Sequence, residues 1–223
     1  MDTTAFYSAT AHIDANEIIS YHEAGHAVMA HVFGRLVDDI MYELNVIGTY
    51  NGRTHWGGAI RIWDAHVPYD ELGTFGLEKE KESDNGEALI IAAGKAAERL
   101  LYRQRGLDET NVNYGPRSGY DDESELEEAI GEWYRKKVEQ KEMYRRVELE
   151  ERHLKPEQVV QAKRLIEELA MKLLGVKQCW MVVEVVAQAS LKALSQEPEK
   201  FVFDDVHEVM EKAFAKVLLS EKT

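Results

Sequence analysis

The strongest constraint in this chain is a helix that must be buried yet carries two histidines and a glutamate in its middle. It begins near Asp14, which can cap it, with Glu17 three positions on to complete a capping box. Apolar residues recur at Ile18, Ile19, Val28, Met29, Val32 and Phe33, roughly one helical face, and Gly34 is a stop signal. Residues 20–31 read Ser-Tyr-His-Glu-Ala-Gly-His-Ala-Val-Met-Ala-His. His22 and His26 are four apart, so they share one face, a turn from each other. Histidines inside a buried helix need polar partners, and one metal ion serves both. Two neutral imidazoles in this geometry bind zinc. Glu23 points beside such an ion rather than at it. From there it can take a proton from an activated water and pass it to a leaving amine. Gly25 costs the helix about 1 kcal/mol relative to alanine, and a small residue there lets another backbone pack close.

The rest of the chain divides by its glycines. They gather between Gly48 and Gly131, and residues 132–223 contain only Gly175. Two alternating segments, Met41–Val46 and Ala59–Trp63, flank the turn-like Gly48 and Asn51-Gly52, which predicts an antiparallel pair. Residues 67–85 are polar, with Pro68, Gly73 and Gly76, and read as a loop. A second helix is expected from Glu87 to Tyr102. A third starts around Asp121–Ser124 and buries Leu126, Ala129, Ile130 and Trp133. Charge dominates from Arg135 to Arg152, as on a solvated helical face or hairpin. Residues 158–174 and 180–194 form a helical pair, and a last helix opens at Phe203-Asp204-Asp205-Val206. The expected class is mainly α with a small antiparallel β-sheet, an α+β fold. Residues 1–133 would form the core with the histidine helix and the sheet, and residues 134–223 a helical part packed on the same domain.

Charge excludes some functions. Lys plus Arg is 27 and Asp plus Glu is 41, a formal net charge of −14. That balance argues against a nucleic-acid binder, which needs a cationic face, and against binding to anionic membranes. The single cysteine, Cys179, can form neither an internal disulfide nor a thiolate zinc cage and is expected in the core. Met1-Asp2-Thr3-Thr4 lacks the basic and apolar regions of a signal peptide. The most apolar stretch, Cys179 to Ala187, is interrupted by Glu184 and is far shorter than the roughly 20 residues needed to span a bilayer. The expectation is a cytoplasmic protein with no membrane span.

Three blocks carry a resemblance. Tyr21-His22-Glu23-Ala24-Gly25-His26-Ala27-Val28 resembles the zinc motif of the FtsH family, the membrane-bound ATP-dependent proteases. Ala93-Gly94-Lys95-Ala96-Ala97-Glu98 resembles that family's small-residue helix. Ser118-Gly119, an acidic helix start and Leu126-Glu127-Glu128-Ala129 resemble the segment that supplies an aspartate as third ligand. The chain departs from the family in showing no transmembrane segments and no Gly-x-x-x-x-Gly-Lys-Ser/Thr loop. It resembles an isolated peptidase domain without the AAA+ motor.

The resemblance implies a zinc metalloendopeptidase, an ATP-independent hydrolase. Zn2+ would be its cofactor, His22 and His26 its ligands and Glu23 its general base. For the third ligand, Asp121, Asp122 and Glu125 compete. Aligning Leu-x-x-Ala selects Glu125, and aligning from Gly119 selects Asp122 or its neighbour. Asp122 with Glu125 at N3 would also serve as a plain N-cap. Glu98 is either a partner that orients a ligand histidine or a helix-surface carboxylate. His31 lies off the ligand face. His55 and His66 lie near the strand pair, where either could steady a transition state. His12, His153 and His207 have no partner legible in the sequence. The expected substrate is unfolded or flexible polypeptide, lying extended along the strand around Ala59–Trp63. The rival reading is a non-catalytic metal-binding module, a regulatory or structural subunit. A homo-oligomer or a separate partner subunit is compatible with the chain, and in the structural-subunit reading the highly charged 132–152 segment is the docking element.

Overall fold

The computed structural model describes residues 13, 15–43, 49–50, 53–54, 57–66, 86–107, 120–142, 154–196, 202–203 and 206–220. In chain order the elements are α1 (Ala15–Val32), β1 (Arg35–Glu43), β2 (Thr49–Tyr50), β3 (Arg53–Thr54) and β4 (Gly57–His66), then α2 (Gly86–Gln104), α3 (Tyr120–Glu142), α4 (Pro156–Leu174), α5 (Lys177–Gln196), β5 (Val202–Phe203) and α6 (Val206–Ser220).

Helix α1 is the centre of the molecule. Every residue from Ile19 to Ala30 is buried. It packs on α2 and α5 and also touches β1 and β4. A helix covered on all sides is apolar on all sides except where polar residues have partners. The exceptions in α1 are Ser20, His22, Glu23 and His26. The close seam with α2 follows from small residues. A Cβ on Gly25 would stand 2.5 Å from the Ala93 carbonyl oxygen and 2.7 Å from the Ala97 Cβ, so only glycine fits. Helix α1 ends as its sequence indicates, at Gly34, whose φ of 74° is the left-handed conformation that suits glycine. Asp14, the expected cap, lies outside the described residues. Glu17 pairs instead with Arg105 beyond the end of α2.

Helix α4 packs on α2, and α6 packs on α5 and β1. The helices after residue 133 therefore share a core with those before it. Helix α3 lies against α2 and α4, burying Leu126 and Ile130. Cys179 is a core residue, and burial pushes its thiol up to about 11. Among the described residues no helix is long and apolar enough to cross a membrane.

The expected α+β class, with a small antiparallel sheet as a defining part, needs correction. The described body is helical: six helices form the core and the candidate site. Among the strand residues whose side chains are described, Val37 is buried in that core. The physical reason is that α1, α2, α4, α5 and α6 bury their apolar surface mainly against one another. Backbone pairing beside α1 runs in the order β4-β1-β5, with Ile40 opposite Ile60 and Phe203. The expected strand bounds also shift, to Arg35–Glu43 and Gly57–His66. The expected loop at 67–85 and residues 143–152 of the highly charged 132–152 segment lie outside the described residues.

Candidate metal centre

The site is made where α1, α2 and the first turn of α3 meet. Helix α1 contributes His22 and His26, 7% and 6% exposed, with Glu23 between them. Their rings stand edge to face, with centroids 4.7 Å apart. Each ring is held from behind. His26 Nδ1 donates a 2.7 Å hydrogen bond to the Ile90 carbonyl of α2. A carbonyl only accepts, so Nδ1 carries the hydrogen and Nε2 of the neutral ring keeps its lone pair. His22 Nδ1 lies 2.6 Å from Glu98 Oε1, and a carboxylate there fixes the same tautomer. Glu98 is thus the orienting partner rather than a surface carboxylate, and it is only 2% exposed.

The two free nitrogens face each other. His22 Nε2 is 3.0 Å from His26 Nε2. Asp122 Oδ2, from the first turn of α3, is 2.9 Å from His22 Nε2 and 3.4 Å from His26 Nε2. That oxygen is buried and accepts no hydrogen bond. Three electron-rich atoms converge, which is unfavourable unless a cation sits among them. A tetrahedral ion with bonds of about 2.0–2.1 Å holds its ligand atoms about 3.3 Å apart, and the observed separations are of that size. Gly94 of α2 leaves the space: a Cβ there would lie 2.3 Å from His26 Nε2 and 2.6 Å from His22 Nε2. The donor set fits a metal ion.

Electrostatics point the same way. Burial works against a charged His22, but the Asp122 and Glu98 carboxylates outweigh it and hold its pKa well above the ordinary imidazole value. His26 is raised as well: burial opposes its charge, and Asp122 outweighs it. Burial likewise opposes the Asp122 charge, but the two imidazoles hold that carboxyl well below the usual range. The cluster therefore attracts positive charge, be it a proton or a metal ion. Glu23, 4% exposed, has a raised pKa, chiefly from burial, with the two histidines pulling the other way.

The described side chains bring Asp122 to the histidines. Glu125 is exposed and is not among the residues whose ligand atoms converge. The side chain of Asp121 lies outside the described residues, as do those of His12, His55, His66 and His153. Sequence reasoning missed two contributors. The Ile90 carbonyl is backbone and leaves no trace in residue identity. The Gly94 cradle was present only as one small residue among several in Ala93–Ala97. No protein-family model matches the chain and no curated protein does, so its function has to be argued from this geometry.

Proposed function

We propose that the chain is a zinc metallopeptidase, similar to the FtsH peptidase domain, that cuts unfolded or flexible polypeptide without an attached ATPase. Its compartment in this reading is the cytoplasm, where a lone buried Cys179 stays reduced. The observation that carries the reading is the convergence of His22 Nε2, His26 Nε2 and Asp122 Oδ2, with both histidine Nδ1 atoms engaged from behind. Zinc held by these three residues would supply a Lewis acid that activates water at neutral pH. Glu98 and the Ile90 carbonyl keep the imidazoles in one tautomer and one orientation. Glu23 is buried beside the ligands and is not one of them. A carboxylate with a raised pKa in that position accepts a proton from the attacking water and returns it to the departing amine.

The test is Glu23→Gln. Glutamine keeps the shape and removes the base, so zinc content should stay at wild-type level. Digestion of an unfolded protein such as casein should fall by about 10²–10⁴-fold, the usual worth of general acid–base catalysis. Equal digestion by both proteins would remove Glu23 from the mechanism. Full zinc loading with no digestion by wild type would favour the non-catalytic metal-binding module.

A further inference from the structure

A second histidine pair meets at the far end of α1. His31 stands in its last turn. His207 and Glu211 are four apart in the first turns of α6, so they share one face of that helix. The His31 ring stacks on Phe214, with centroids 4.9 Å apart and planes at 18°, which fixes its orientation. It lies 6.1 Å from the His207 ring. His31 Nε2 is 3.7 Å from Glu211 Oε1, too long for a hydrogen bond. It is close to the roughly 3.3 Å that separates ligand atoms around a zinc-sized ion. The ligand atoms of all three residues fall within 4.8 Å of one another. His207 Nδ1 is buried with no hydrogen-bond partner, a condition that calls for an explanation in a folded protein.

We propose that His31, His207 and Glu211 form a second divalent-metal site that ties the end of α1 to α6. Two imidazoles and one carboxylate suit zinc and its first-row neighbours; calcium and magnesium prefer all-oxygen sites. The Glu211 side chain is 43% exposed and that of His31 13%, so one side of the site is open and water completes the coordination. An ion there braces the same helix that carries His22 and His26. The assignment does not depend on the peptidase reading and needs no hydrolysis to test.

The experiment titrates the full chain, stripped of metal, with Zn2+ and reads stoichiometry and affinity by calorimetry. Wild type should take up a second, weaker equivalent that persists in the His22→Ala/His26→Ala double variant. His207→Asn and Glu211→Gln should each weaken that equivalent by more than the roughly 10-fold that loss of an outer partner costs at least, leaving the tight one unchanged. Glu211→Gln alters an exposed side chain without risk to the fold, so it decides the matter if His207→Asn misfolds. A single equivalent in wild type overturns the proposal. A second equivalent unaffected by Glu211→Gln overturns it as well.

Discussion

His22 and His26 stand on a helix covered on every side, whereas Asp122 stands on the first turn of a helix at the edge, with 27% of its side chain exposed. The histidine half is locked by two hydrogen bonds, a glycine seam at Gly25 and a glycine floor at Gly94. Among the described side chains of α3, the carboxylate half is anchored by buried Leu126 and Ile130 and by an ion pair of the exposed Glu127 with Lys163 of α4. The imidazoles are thus preorganised by the fold, while the aspartate is a more loosely held closing piece. Metal affinity should then respond more steeply to changes on the α1–α2 side than to most changes on α3.

The largest effect is expected from Gly94→Ala. The added methyl would overlap both Nε2 atoms, so zinc affinity should fall by more than about 100-fold, beyond the usual loss from an outer partner. Alanine favours the helix by about 1 kcal/mol, but overpacking against two pinned rings costs about 1–3 kcal/mol, so thermal stability should fall as well. Retention of zinc by this variant would break the comparison, because the floor would not be rigid. Next comes Asp122→Ala, with a loss of about 100-fold, at the upper end of the outer-partner range, against no change for Glu125→Ala. The reverse result would mean that α3 rotates when the ion binds and that its Glu125 closes the site. The smallest effect belongs to Glu98→Gln. The amide oxygen still accepts from His22 Nδ1 but lacks the charge, so the affinity loss should lie near 10-fold. A metal-buffered competition assay resolves all three.

The histidine half was legible because it is local. The spacing of His22 and His26 and the small residue at Gly25 are properties of one helix, and helical periodicity puts them on one face whatever surrounds it. Glu98 stayed ambiguous because a carboxylate in a helix is written the same way whether it faces water or a histidine; only the packing of α1 on α2 decides. Asp122 and Glu125 could not be separated for the same reason, since both lie near the start of α3 and the choice depends on how α3 sits on α2. The helices were readable from their apolar period. The start of β1 was not, because Arg35, Asp38 and Asp39 interrupt the alternation, and β5 is only two residues long. The meeting of His31 with His207 joins two helix ends far apart in the chain, and no local pattern announces it.

The bond between His22 and Glu98 spans 76 residues. During synthesis the histidine pair emerges well before the glutamate that orients it, by about 4–15 seconds at typical elongation rates of 5–20 residues per second. In that interval neither ring has a fixed tautomer, and the Gly94 floor does not yet exist. A nascent chain that stalls ahead of α2 carries the whole His-Glu-x-x-His motif without a selective grip on any ion. If the centre takes a metal as proposed, selective capture waits on docking of α2 against α1, and a chain that had loaded an ion would already have completed that docking.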